Sequence, residues 1–181
     1  MGADTPEEYG DYFAWGETTT KSTYNWSTYQ YCNGNYNTLT KYCNNSSYGY
    51  NGFTDNLTTL LPEDDAATVN WGNGWRMPTE AEWRELLNNT THIWTVLNGV
   101  NGRLFTASNG NCLFLPAAGF YYGNDFYQSG TDGRFWSSSL NTNDPDTALM
   151  FYFFSDGYYM SGSVSRYCGQ SVRPVRSASQ N

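Results

Sequence analysis

Cations are scarce in this chain: 9 Lys and Arg stand against 17 Asp and Glu in 181 residues, a formal net charge of -8. A phosphate backbone is gripped by clustered Lys and Arg, so the balance argues against nucleic acid as a partner. Histidine is scarcer still, with His92 alone, and no C-x-x-C pair occurs, so there is no zinc signature. No run approaches the twenty apolar residues of a membrane-spanning helix. The opening MGADTPEEYGDYFAWGE has no basic stretch followed by an apolar one. Either the protein is cytosolic or an export signal is missing upstream; the early entry into an aromatic run favours the second.

What is abundant is aromatic and small polar. The composition has 18% aromatic but only 14% charged residues, with 18 Gly, 16 Tyr and 7 Trp. Disordered chains lack aromatics. Tyr, Ser, Gly and Asn together are the vocabulary of binding loops, where Tyr offers large contact area at low entropy cost; a loop-rich β protein has the same composition. The length suits one domain over residues 1–181. Four cysteines, Cys32, Cys43, Cys112 and Cys168, allow two disulfides in an oxidising compartment, with a Cys32–Cys43 bridge the shortest, or four unpaired small hydrophobes.

Residues 9–61 are turn-rich, with Asn/Gly clusters such as NGNYN and CNNSSYGYNG. A helix is predicted to start in WRMPTEAEWRELLNN (75–89), where Thr79 and Glu82 form an S/T-x-x-E capping box and Trp83, Leu86 and Leu87 share one face. A second short helix is predicted from about Glu63 to Val69. From Ile93 onward, Asn-Gly pairs between β-branched and aromatic runs predict an antiparallel meander over IWTVL, RLFT and CLFLP. A Gly-punctuated strand pair follows in AAGFYYGNDFYQSGTDGRFWSSS, and QSVRPVR closes the sheet with Pro174 at its edge. The expected class is therefore α+β: short helices in the N-terminal half, an antiparallel sheet in the C-terminal half, and long irregular loops.

One stretch poses a question. FYFFSDGYYM (151–160) gathers six aromatic rings around one Asp-Gly turn. A strand buries Phe151 and Phe153 on one face and sends Tyr152 and Phe154 to the other.

Seven separated runs, in order, are more specific than pattern: GDYFAWGE (10–17), TLTKYC (38–43), EDDAATVNWGNGWRMPTEAEW (63–83), NGVNGRLFT (98–106), NGNCLFLPAAGF (109–120), GRFWSSS (133–139) and SVRPVR (171–176). Together they resemble the Fibrobacter succinogenes major paralogous domain of Bacteroidetes surface proteins, over nearly the whole chain. The resemblance implies a C-type-lectin-like fold related to formylglycine-generating enzymes. It also implies kinship with the variable proteins of diversity-generating retroelements, in which a C-terminal segment is diversified on a fixed scaffold. That segment would run here from Gly133 to Arg176. An Asn codon randomised at both adenines never yields Lys, Glu, Gln, Trp or Met. The first four are absent between Leu149 and Cys168, although Met150 and Met160 do not fit the scheme.

On that pattern Ala148, Phe151, Phe153, Arg166, Gly169 and Ser171 to Arg173 are scaffold. Met150, Tyr152, Phe154, Asp156, Tyr158, Tyr159, Ser161, Ser163, Ser165 and Tyr167 are display positions. The implied protein is a non-catalytic receptor or adhesin binding a macromolecular ligand, protein or glycan, at a bacterial cell surface, in secreted form or on a phage. No cofactor or metal is implied. A fixed carbohydrate-binding or structural surface module is the alternative. The copper chemistry of the related enzymes uses paired cysteines, and Cys168 has no partner near it in sequence; His92 reads as a surface residue at a strand start. NTNDPDT (141–147) reads as a polar turn, because it lacks the ordered oxygen spacing of an EF-hand.

Overall fold

Residues 147–154 alternate as a strand must, and their pairing shows why both faces are apolar over part of the length. The structure, a computed structural model, describes residues 1–72 and 74–176, with the side chains of Met160 and Ser161 outside the described set. The elements in chain order are β1 (Tyr12–Phe13), α1 (Ala66–Trp71), β2 (Trp75–Arg76), α2 (Glu80–Asn88), β3 (Thr90–Leu97), β4 (Val100–Ala107) and β5 (Cys112–Pro116). There follow β6 (Phe120–Tyr122), β7 (Asp125–Tyr127), β8 (Gly133–Leu140), β9 (Thr147–Phe154), β10 (Gly157–Ser165), β11 (Gln170–Ser171) and β12 (Val175–Arg176).

The main sheet has the order β1-β11-β8-β9-β10. The last three strands are an antiparallel meander, whereas β11 runs parallel to β8. A three-stranded meander β3-β4-β5 and the two-stranded pairs β6-β7 and β2-β12 complete the architecture.

The main sheet is covered on both faces. On one lie Trp83 and Leu87 of α2 with Phe105 and Leu115 of the β3-β4-β5 meander, packed on Phe135, Phe151 and Phe153. On the other, Trp15, Tyr29, Tyr42 and Met77 pack on Trp136, Ala148 and Met150. The N-terminal loops have little secondary structure and are fastened by side chains. Arg166, fully buried after β10, donates to the Lys41, Tyr42 and Pro145 carbonyls and to the Tyr29 hydroxyl at 2.9–3.1 Å. Asp64, also buried, accepts from Lys41 and from the Tyr31 and Tyr42 hydroxyls. Burial pushes the Asp64 carboxyl up, but those donors outweigh it and hold it below the ordinary range.

The helix at 80–88 starts where the sequence predicts, with the Thr79–Glu82 capping box formed in both directions. The first helix starts three residues later than expected, because Pro62–Asp64 closes a 3₁₀ turn and Asp65 caps Ala67 and Thr68. The 93–116 meander is present. The α+β, C-type-lectin-like expectation is corrected: the chain is mostly β, 38% strand and 12% helix, in several small sheets that are antiparallel apart from the β11-β8 pair. The two α-helices span six and nine residues, too short to make a helical N-terminal half, and Asn/Gly turns take most of the first sixty residues. All four cysteines are free, so the Cys32–Cys43 bridge is not formed.

Candidate functional site

The doubly covered sheet opens at one end. Cross-strand pairing sets Arg134 of β8 opposite Tyr152 of β9, and Tyr152 opposite Tyr159 of β10, all on one face. Directly opposed residues on one face of a sheet lie within contact range, so the three make a row. The Tyr152 and Tyr159 rings stack at 5.6 Å and 13°. Phe154 leans on both, at 5.6 Å and 5.9 Å. Its ring lies over Gly157, where an added Cβ would meet it at 3.1 Å. Tyr159 is the most open of these rings, at 58% exposure.

Arg134 extends the row sideways. Its guanidinium sits 4.7 Å from the Tyr152 ring centre and 4.0 Å from that of Phe120. Gln128 accepts from it at 2.6 Å and Asp132 at 3.5 Å, which fixes the fork between the two rings. Burial, and then Asp132 as hydrogen-bond acceptor, push the Tyr152 phenol above its usual value. Phe120 belongs to the β6-β7 hairpin, where pairing places Phe120 opposite Tyr127 and Tyr122 opposite Asp125 on the same face. Tyr122 and Tyr127 are both exposed. A continuous aromatic strip therefore runs from Tyr159 to the hairpin.

The β9-β10 turn is held from beneath. Arg103 of β4, buried, donates to the Phe154 carbonyl at 2.9 Å and the Gly157 carbonyl at 3.1 Å, and lies 3.0 Å from Nδ1 of His92. The His92 ring meets Tyr158 edge-on at 5.1 Å. Burial, then the neighbouring Arg103 charge, hold His92 below the ordinary histidine value, so its neutral Nδ1 accepts from Arg103. The turn is thus anchored to a second sheet.

The structure brings together Tyr152, Phe154 and Tyr159 of the sequence-predicted display positions, with Asp156 exposed in the adjoining turn. It places Tyr158, Ser163 and Ser165 on the opposite face, because they pair with Phe153, Leu149 and Thr147. Met150 and Tyr167 are corrected: at 4% and 6% exposure both are core. The β10 register shifts between Tyr159 and Gly162, so simple alternation fails there. Ser161 has its side chain outside the described residues. Sequence reasoning missed Arg134, Phe120, Tyr122 and Tyr127; the Gly-Asn turn flanked by rings in FYYGNDFY was the available signal.

Cys168 is fully buried, and burial pushes its thiol up to about 12, far from a reactive thiolate at neutral pH. In 141–147, Asn141 spends its side chain on Thr147 and on the Asn143 amide. Among the described residues no group of three or more His, Cys, Asp or Glu side chains is placed to hold a metal ion. No described helix is long and apolar enough to cross a membrane.

Residues 105–175 match a domain of unknown function (DUF8237). The matched stretch contains every residue of the aromatic strip, from Phe120 to Tyr159. No curated protein and no solved structure matches the chain.

Proposed function

We propose that this protein is a non-catalytic ligand-binding module whose recognition surface is the open end of the main sheet, centred on Tyr152, Phe154 and Tyr159. The observation that carries this is the stacked Tyr152–Tyr159 pair, an aromatic patch half-buried at Tyr152 and open at Tyr159, on a strand pair whose other face is packed core. Rigid aromatic anchors of this kind dominate binding energy at protein interfaces, because they bring large area with few rotamers to freeze.

The geometry favours a protein ligand over a glycan. Sugars stack on open ring faces, whereas Tyr152 turns its faces to Tyr159 and Arg134. The Tyr152 hydroxyl is turned to Asp132, so of the stacked pair Tyr159, 58% exposed, is the ring that meets a ligand, and it suits another ring or a planar cation. A fixed carbohydrate-binding or structural surface module is the second reading.

The resemblance to variable proteins supports a further part of the proposal: positions 152, 154 and 159 are diversified on a fixed scaffold of Phe151, Phe153 and Arg166, in a protein displayed at a bacterial or phage surface or secreted. The burial of those three scaffold residues fits it.

The test is a screen of displayed bacterial surface proteins, alongside glycan arrays with and without calcium, using the native chain and a Tyr152→Ala/Tyr159→Ala variant. A protein captured by the native chain and not by the folded variant supports the proposal. Saturable glycan binding, or capture indifferent to both rings, overturns it. Sequencing the locus for a near-copy of codons 133–176, mismatched only at template adenines, tests the diversification.

A further inference from the structure

The chain's nine cationic side chains are almost all committed inside it. Lys21 pairs with Glu17, Lys41 with Asp64, Arg76 with Glu82 and Arg84 with Glu80. Arg103 and Arg166 are buried against backbone carbonyls, and Arg173 donates to the Glu8 carbonyl at 2.6 Å. Arg134 is enclosed between two rings. Arg176, in β12, lies outside the strip. The carboxylates are distributed differently: Asp125, in β7, and Asp156, in the β9-β10 turn, are both exposed.

Asp125 shares the outer face of the β6-β7 hairpin with Tyr122 and Tyr127, whose hydroxyl lies 3.4 Å from the Asp125 carboxylate. Asp156 stands two residues beyond Phe154. Ring and carboxylate side by side is also the arrangement that holds Arg134, which lies between Phe120 and Tyr152 with Asp132 accepting. A planar guanidinium uses both groups at once, stacking on the ring and donating to the carboxylate, which a lysine ammonium does less well. With a net charge of -8 and Arg134 the strip's one described cation, the surface complements a positive partner.

We infer that the recognition surface extends across Arg134 to the β6-β7 hairpin and takes an arginine-bearing segment of a partner protein, with guanidinium groups seated on Tyr122, Tyr127 and Tyr159 against Asp125 and Asp156. This rests on the proposed aromatic binding face and deepens it, naming the partner's chemistry and a second wing of the site.

The probes are three nonapeptides in which Arg, Lys or Glu alternates with Gly, titrated by fluorescence polarisation at physiological salt. The Arg peptide is expected to bind roughly fivefold tighter than the Lys peptide, with no binding of the Glu peptide. Tyr127→Ala/Asp125→Asn should weaken the Arg peptide about tenfold. Glu85→Gln, a charge change on the exposed side of α2, should leave it unaltered. The inference is overturned if no peptide binds, if Arg and Lys peptides bind alike, or if Glu85→Gln weakens binding as much as the hairpin variant. A surface protein captured through Tyr152 and Tyr159 but indifferent to the hairpin variant would sink this inference and leave the proposed function standing. Loss of both results would remove the two together.

Discussion

The guanidinium of Arg134 lies between the rings of Phe120 and Tyr152, 4.0 Å from one centre and 4.7 Å from the other, and joins the β6-β7 hairpin to the main sheet. Its removal should loosen the hairpin more than it unfolds the chain. Arg134→Ala is expected to cost about 2 kcal/mol, the value of a desolvated cation–π contact. Arg134→Lys should recover only part, since an ammonium cannot fill the planar slot. Thermal melts of both variants, with amide exchange at Tyr122 and Asp125, check this; exchange unchanged in Arg134→Ala would show that the hairpin stands without it.

Arg103 is expected to matter at a distance from its own strand. Truncation to Ala leaves the Phe154 and Gly157 carbonyls without their donor, at roughly 1–3 kcal/mol for each acceptor left unsatisfied. The β9-β10 turn should then exchange its amides faster while β3 and β4 stay protected. Equal loss of protection in both sheets would mean that Arg103 supports the whole fold and not the turn.

The same cluster gives a pH dependence. His92 is neutral when folded, with its proton affinity lowered by burial and by Arg103. Below the ordinary value of 6.5 the unfolded chain takes up a proton that folded His92 resists, so stability falls as pH drops through that value. The fall levels off only below the folded value. Urea midpoints at pH 7.5 and 5.5 should therefore differ more in the native chain than in His92→Gln; identical differences would remove His92 as the source.

Glu82 acts with the same sign at lower pH. Hydrogen bonds from Arg76, then from the Thr79 amide and hydroxyl, hold its carboxyl at about 2 against an ordinary 4.5, with burial opposing. Its contribution is complete above 4.5 and is lost as pH falls from there toward 2. Glu82→Gln should flatten that part of the acid-unfolding curve. Thr79→Ala, which removes the cap acceptor, should cost about 1 kcal/mol at neutral pH.

Arg166→Met tests what fastens the N-terminal loops. Three carbonyls and the Tyr29 hydroxyl lose their donor inside the core, so the expected cost is at least about 3 kcal/mol. Chemical denaturation measures it, and a change below about 1 kcal/mol, the net value of one ordinary hydrogen bond, would show that the loops pack without it.

The elements legible in the sequence were those governed by neighbours in the chain. Thr79 and Glu82 cap a helix three residues apart, and Asn98-Gly99 turns one strand into the next. The period-two reading placed Tyr152 and Phe154 opposite Phe151 and Phe153 correctly, but it could not show that Met150 lies beneath the N-terminal loops, since those loops come from more than a hundred residues earlier. The β10 register shift defeated simple counting beyond Tyr159. Arg134 looked like one more charged residue in a strand, because what makes it part of a site, Phe120 on one side and Tyr152 on the other, is assembled from separate strands.

The β1 pairing fixes when the molecule can be finished. Tyr12 has its partner at Ser171, and β11 must seat itself between β1 and β8 before either contact exists. During synthesis β1 therefore leaves the ribosome unpaired and waits for nearly the whole chain to follow. Local meanders such as β3-β4-β5 form early, and closing the main sheet comes last, as a slow step of high sequence separation. The strands that carry the aromatic strip, β6 to β10, end at Ser165, so a chain cut before residue 170 would hold the aligned rings on a sheet whose β8 edge stands open.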